Sequence, residues 1–436
     1  MRPLILAVAL VGALGCRTAP PVTHTGDRPD PTVAPTGSED SDTDTDTDTE
    51  PRVTDGRVLL LVSIDGFRWD YLDRGATPNL DRIAAGVRAD GLQPPFPSYT
   101  FPSHYTIVTG LHPEHHGIVS NVFYDPVRRD QFKLGAPEDM TDGSWWGGEP
   151  LWNTAERQGM PAATLFWPGS EAVIGGRRPT DWTPYDSGMS YDDRVDTVLG
   201  WLSREPATRP GFATLYFSSV DSAGHGHGPD DAAVDDAIRG VDKAMGRLLD
   251  GIDGAGLTDL VDVVVVSDHG MAPKDPEKIV FLDGAAVLQG VHVVEYSPLL
   301  QARIPDPDKA RAVRDGLDAL DHVACHLKAD TPEDWHYRDH RAIGDVVCLA
   351  ENGWQLTQRA YYEDNRDRFE GGTHGWDPDW QAMHGIFLAR GPRFKQGVRV
   401  GTLQAVDLYG VMCQAMGLEP AVNDGDPSVA SQLLAE

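Results

Sequence analysis

The sequence predicts an α/β fold with a doubly wound, mostly parallel central sheet, helices on both faces and a small inserted subdomain. Two observations carry that prediction. First, three long apolar runs stop at an aspartate: V-L-L-L-V-S-I before Asp65, F-A-T-L-Y-F-S-S-V before Asp221, and V-D-V-V-V-V-S before Asp268. Runs without polar alternation read as strands buried on both faces, as in a parallel sheet. Second, a helical repeat separates the last two runs. From Ala232 to Ile252, apolar residues recur at Val234, Ile238, Val241, Met245, Leu248 and Ile252, the spacing of one helix face and of a crossover connection.

The other elements follow in chain order. Met1 and Arg2 precede an apolar run from Leu4 to Leu14 that is too short to span a bilayer. It reads as a secretory signal peptide, ending Ala13-Leu14-Gly15-Cys16 like a bacterial lipoprotein box with Cys16 as the lipidated residue. The expectation is an exported protein anchored by lipid in the cell envelope, in the periplasm or at the outer membrane. Residues 17–56 are Pro, Thr, Asp and Gly with almost no large apolar side chains, and read as a self-repelling tether. The Asp-Thr repeat from Asp42 to Asp48 lacks the Gly and distal Glu of a calcium loop.

A domain is expected over residues 57–436. After the first strand comes a helix opening at Thr77-Pro78, with proline in its first turn. A proline-rich segment, Pro94 to Pro102, leads into a helix over Ser103 to Thr109. Thr100 would then sit just ahead of a helix N-terminus, where free N–H groups favour anions. Residues 275–370 are less regular and mark the insert. A strand at I-F-L-A and a helix over Val406 to Met416 close the chain. Cys325 and Cys348 could pair in an oxidising compartment, whereas Cys413 reads as a small core residue.

The chain has 436 residues, a net charge of -30 and 40% hydrophobic residues. That supports a large core and argues against a nucleic-acid scaffold acting by charge neutralisation.

In open α/β sheets, ligands bind at the carboxyl ends of the strands. Three carboxylates gathered there would repel one another unless cations lie between them. His225 follows Asp221 by four residues and His269 follows Asp268 directly. Carboxylate and imidazole together suit zinc, manganese or iron. Such a site still needs a nucleophile, and a hydroxyl needs a base or a metal to activate it. Thr100 has the right setting.

The ordered motifs S-I-D-G-F-R from Ser63, T-P-N-L from Thr77, F-P-S-Y-T-F-P-S-H-Y from Phe96, and V-T-G-L-H-P-E-H-H-G-I-V from Val108 resemble the nucleotide pyrophosphatase/phosphodiesterase family of the alkaline phosphatase superfamily. Further matches are F-W-P-G-S from Phe166, D-S-A-G-H from Asp221, S-D-H-G-M from Ser267, and G-T-H-G from Gly372. The resemblance implies an alkaline phosphatase-like fold and two zinc ions. One would be held by Asp65, Thr100, Asp268 and His269, the other by Asp221, His225 and His374. It implies that Thr100 attacks phosphorus, forming a phospho-threonine, and that Asn121 donates to a phosphate oxygen. His374 is preferred to His384, since the family carries its ligand in the earlier His-Gly. His112, His115, His116 and His227 match no family role. Ser103 departs from the asparagine of many members, and a local hydrogen-bond change is expected there.

Phe101, Tyr185 and Tyr216 fall where nucleotide-cleaving members carry a base-stacking slot, and stacking tolerates any base; Trp167, in F-W-P-G-S, either lines the pocket or fills the core. The implied reaction cleaves nucleotide diesters or pyrophosphates to a nucleoside 5′-monophosphate. The alternative is a zinc phosphodiesterase for choline phospholipid or glycerophosphodiester head groups, because an aromatic cage also binds a quaternary ammonium.

Overall fold

The computed structural model describes residues 56–284 and 288–436. The signal segment, Cys16 and residues 17–55 of the expected tether lie outside the described residues. The strand Val58–Ile64 (β1) lies inside an eight-stranded sheet. Its companions are Val87–Ala89 (β2), Ala162–Leu165 (β3), Asp181–Thr183 (β4), Phe212–Phe217 (β5), Val261–Val266 (β6), Phe387–Arg390 (β7) and Val398–Val400 (β8). The spatial order is β8-β2-β7-β6-β1-β5-β3-β4. All pairings are parallel except those of β7, which runs antiparallel to both β6 and β2.

The absence of polar alternation in β1 has a direct physical consequence. Leu59 and Leu61 enter one core layer, with Tyr105, Ile107 and Leu408. Leu60, Val62 and Ile64 enter the opposite layer, with Leu80, Ile83, Val195, Ile238 and Val241. These partners lie on helices on both faces: Pro78–Ala84 (α1), Thr100–Thr109 (α2), Tyr191–Leu202 (α3), Ser219–His227 (α4), Ala232–Gly254 (α5) and Leu408–Met416 (α6). Each buried aliphatic contributes roughly 1.5–3 kcal/mol, so a charge at any position of β1 would be buried in one apolar layer or the other. In α5 the side chain of Asp231 accepts from Ala233 N, satisfying an otherwise unpaired N–H of the first turn. Its predicted apolar stripe is buried throughout.

Residues 292–350 build a second, antiparallel sheet in the order His292–Glu295, Leu299–Arg303, Val346–Ala350, Val323–Leu327. It has its own core with the helix Pro307–Asp318, whose Ala310, Val313 and Leu317 are buried there. Cys325 and Cys348 face each other on adjacent strands and form a disulfide. Cys413 is a buried free thiol in α6, and burial pushes its pKa up to about 12. Among the described residues, no helix is long and apolar enough to cross a membrane.

Two local expectations change. The run ending at Asp221 is not a strand to its end: β5 stops at Phe217, and Asp221 lies in the first turn of α4. An acidic side chain there complements the positive end of the helix dipole. The helix expected from Ser103 begins instead at Thr100, with Tyr99 as N-cap. Thr100 is thus the first residue of α2, not a residue ahead of it.

Candidate metal centre

The strands β6, β1 and β5 are adjacent and parallel, with Ser63 opposite Val266 and Ile64 opposite Phe217. Their carboxyl ends therefore lie on one edge of the sheet, and Asp65, Asp268 and helix α4 follow directly from them. Asp65, Asp268, His269 and His374 are all 5% exposed or less. On α4, Asp221 and His225 are one turn apart, with Asp221 Oδ1 3.3 Å from His225 Nε2.

Backbone carbonyls orient all three histidines of the expected ligand set. His269 Nδ1 lies 2.8 Å from Gly270 O, His374 Nδ1 2.9 Å from Ser98 O, and His225 Nδ1 3.0 Å from Gly372 O. A carbonyl only accepts, so each Nδ1 donates, and each ring, when neutral, turns an unprotonated Nε2 towards the carboxylates. His269 Nε2 is 3.0 Å from Asp268 Oδ2 and 3.4 Å from Asp65 Oδ1. His374 Nε2 is 3.9 Å from Asp221 Oδ1, and its ring stacks on that of His269 at 3.5 Å.

Lone pairs facing lone pairs at these distances require positive charge between them. Three ligand-type groupings arise, each with atoms within 4.8 Å of one another: Asp221, His225 and His374; Asp65, Asp221 and His269; and Asp65, His104 and Asp268. Asp65 Oδ1, Asp221 Oδ1 and Asp268 Oδ2 are buried without a hydrogen-bond partner among the described residues. Buried carboxylate oxygens left in this way are costly unless a cation meets them. The donor set, hard oxygen with imidazole nitrogen, fits a pair of divalent ions of the zinc type.

The protonation pattern of the protein groups alone shows the same deficit. Burial, then the charges of Asp268 and Asp221, raise Asp65 well above the carboxylate range. Burial also opposes ionisation of Asp268, but His269 and His104 hold it well below that range. Burial likewise opposes Asp221, and the His225 ring beside it brings it down. Against its own burial, His269 is held up to about 10 by Asp268 and then Asp65. Burial and the charges of His269 and His225 push His374 down to about 3.

Thr100 Oγ1 lies 3.2 Å from His269 Nε2, at the start of α2. Asn121 Oδ1 accepts from the Phe101 N–H at 2.9 Å, serving a first-turn donor of the same helix. Its own amide N–H groups make no bond among the described residues. The sequence reading passed over His104, one turn after Thr100 and fully buried. Its Nε2 lies 2.7 Å from Ser63 Oγ, and its Nδ1 2.9 Å from Thr100 O and 3.2 Å from Asp268 Oδ2. The i, i+4 spacing from Thr100 was the available signal. His384 is held elsewhere, with Nε2 2.9 Å from Pro378 O. His115 pairs with Asp424, His116 bonds Thr106, and His112 stacks on His336. Ser103 is buried and its hydroxyl has no partner among the described residues.

The aromatic residues divide. Tyr185 is 49% exposed and meets Phe166 at 5.3 Å and Tyr216 at 6.1 Å. Tyr216 also bonds Asp65 through its hydroxyl. Phe101 belongs to another group, with Phe132 and Trp146. Trp167 is 2% exposed. Its Nε1 donates to His104 O at 3.1 Å and its ring meets the His104 ring edge-on, so it supports α2 from behind and offers no open stacking face.

Residues 59–377 match the model of the type I phosphodiesterase/nucleotide pyrophosphatase family. The chain is 34% identical over 387 residues to ectonucleotide pyrophosphatase/phosphodiesterase family member 3 of Bos taurus, covering 86% of this chain but 44% of that protein. An uncharacterized pyrophosphatase/phosphodiesterase of Schizosaccharomyces pombe is 35% identical over 383 residues, covering 84% of this chain and 78% of its own length. Among solved structures, inactive murine ectonucleotide pyrophosphatase/phosphodiesterase 5 in complex with AMP superposes with a TM-score of 0.81 at 32% identity, covering 86% of this chain and 100% of that one. The chain thus spans less than half the length of the cattle relative.

Proposed function

The chain belongs to the type I phosphodiesterase/nucleotide pyrophosphatase family, and on that basis we propose that it hydrolyses nucleotide phosphodiester or pyrophosphate bonds to a nucleoside 5′-monophosphate. The observation that carries this reading is Thr100 Oγ1, 3.2 Å from His269 Nε2 beside three buried carboxylate oxygens without hydrogen-bond partners among the described residues. Asp65, Thr100, Asp268 and His269 would hold one zinc ion, and Asp221, His225 and His374 a second. Such a pair supplies Lewis-acid charge to the phosphoryl oxygens and lowers the pKa of a bound hydroxyl or water.

The chain's own groups do the rest. Thr100 is held at the first position of α2, where the positive end of the helix dipole favours the charge of a phosphoryl group. Its hydroxyl gives up its proton to solvent as the oxygen attacks phosphorus, the bond from phosphorus to the leaving alkoxide or phosphate breaks opposite to it, and a phospho-threonine forms. Asn121, anchored through its Oδ1, keeps its amide N–H groups for a non-bridging oxygen of the transferred phosphate. Water then releases the phosphate ester and regenerates Thr100. The AMP bound to the murine relative supports a nucleoside monophosphate as product. Tyr185, exposed beside Phe166 and Tyr216, supports a stacking wall for the base. In the same reading the enzyme is exported and held at the cell envelope through Cys16, with residues 17–56 as its tether.

The test compares one preparation on a dinucleotide, a nitrophenyl nucleotide ester and nitrophenyl phosphorylcholine. The expected order places both nucleotide substrates well ahead in kcat/KM. A preference for the choline ester would turn the Tyr185 wall into a cation cage and replace the nucleotide reading with a lipid head-group one.

A further inference from the structure

Glu295 is a partly buried acid that the reaction above does not use. It ends the first strand of the second sheet, directly opposite Gln301. Two donors converge on its carboxylate: Ser120 Oγ donates to Oε2 at 2.8 Å and Gln301 Nε2 to the same oxygen at 3.3 Å. The Tyr99 hydroxyl donates to Ser297 O, two residues further on, at 3.4 Å. The titratable groups facing the carboxyl are the phenols of Tyr99 and Tyr337. Ser120 and Tyr99 come from outside the second sheet, and their places in the chain are informative. Tyr99 immediately precedes Thr100, and Ser120 immediately precedes Asn121.

Neighbouring contacts repeat the pattern. From the second-sheet region the Tyr337 hydroxyl donates to Val119 O at 2.6 Å, and Arg303 Nη2 donates to Tyr124 O at 3.0 Å. Both grip the segment around Asn121. The Tyr99 ring stands edge-on to His374 at 5.8 Å, and Gly375 lies so close to it that a Cβ there would meet the ring at 2.2 Å. A shift of Tyr99 would therefore be felt at Thr100 on one side and at His374 on the other. We propose that Glu295 is a positioning residue for phosphoryl transfer, which from the second sheet holds the segments carrying Thr100 and Asn121 in one register. This rests on the roles given to Thr100 and Asn121 above. Glu295 touches neither of them, so its contribution is geometric. It limits the relative movement of nucleophile and phosphate donor, where a displacement of about 1 Å costs on the order of 100-fold in rate.

The test uses the full chain loaded with zinc and a nitrophenyl nucleotide ester. Glu295→Ala should lower kcat by roughly 10- to 100-fold with KM within about threefold, because alignment in the transition state is lost and ground-state binding is not. Zinc content should stay at the parent value. Glu295→Gln keeps an acceptor for Ser120 and should recover most of the loss. Ser120→Ala removes the bond from the other side. If both act through one contact, the double variant should lose no more than about twofold beyond the larger single loss. A kcat of Glu295→Ala within about threefold of the parent overturns the proposal, as does a rise in KM alone, or fully multiplicative losses in the double variant. Should Glu295→Ala not fold, Glu295→Gln and Ser120→Ala carry the same comparison. Thr100→Ala is run in parallel: if it keeps turnover, the nucleophile assignment and this proposal fall together. If it is dead while Glu295→Ala is unaffected, only the positioning role is lost.

Discussion

The Tyr216 hydroxyl donates to Asp65 Oδ2 at 2.5 Å, which leaves Asp65 Oδ1 as the buried carboxylate oxygen without a hydrogen-bond partner among the described residues. One oxygen is thereby committed to the protein and the other is available to an ion. Burial, reinforced by the charge of Asp65, raises the Tyr216 phenol well above its ordinary range, so it remains a donor at any working pH. A tyrosine expected as a base-stacking ring thus also orients a carboxylate of the candidate metal centre.

Removing that hydroxyl should weaken metal binding. Groups that orient a ligand typically account for 10- to 100-fold in affinity. Tyr216→Phe keeps the ring and deletes the bond, so zinc should be lost to a competing chelator at roughly 10- to 100-fold lower chelator concentration. An unchanged competition curve would show that Asp65 needs no such partner.

Thr100→Ala should remove nearly all turnover and leave two zinc ions per chain. The carboxylates and imidazoles that surround the position remain, while the attacking oxygen is gone. Elemental analysis and single-turnover kinetics check the two halves separately. Turnover within about tenfold of the parent would rule out Thr100 as nucleophile.

Tyr185 should act on substrate choice. Loss of a stacking ring costs roughly 1–3 kcal/mol, or about 5- to 150-fold in kcat/KM. Tyr185→Ala should show that loss on nucleotide esters of any base and much less on bis-nitrophenyl phosphate. Equal losses on both substrates would mean that Tyr185 supports the site generally.

Glu295 should make stability depend on pH. Burial, opposed by the neighbouring Ser120, Gln301 and Tyr99 groups, raises its pKa to about 7, against about 4.3 in an unfolded chain. Between these values the folded state holds a proton that the unfolded state has released. The stability linked to Glu295 is therefore complete below about pH 4.3 and is lost as the pH rises through about 7. Glu295→Gln does not titrate. Its melting temperature relative to the parent should rise from pH 5 to 7 and level off by pH 8. A difference that stays flat from pH 5 to 8 would show that the carboxyl ionises normally.

What the sequence determined by itself is local in origin. An unbroken apolar run in β1 can satisfy its side chains only between two core layers, and a polar residue that ends such a run must sit at a sheet edge. Asp65 and Asp268 were legible for that reason, and Asp221 with His225 through a spacing that helix α4 turned into one face. The family motifs added Thr100, Asn121 and His374 as expectations. What only the tertiary structure decided depends on groups far apart in the chain. The carbonyls of Ser98 and Gly372 that set the rings of His374 and His225 come from other elements, and no residue type encodes a backbone acceptor. The burial of Trp167 behind His104, the bond from Tyr216 to Asp65, and the reach of Glu295 to Ser120 across 175 positions are of the same kind. A carboxylate or a ring offers the same donors and acceptors wherever it occurs. Which partner it meets, and so which atom is left over for an ion, is settled only when distant elements close on one another.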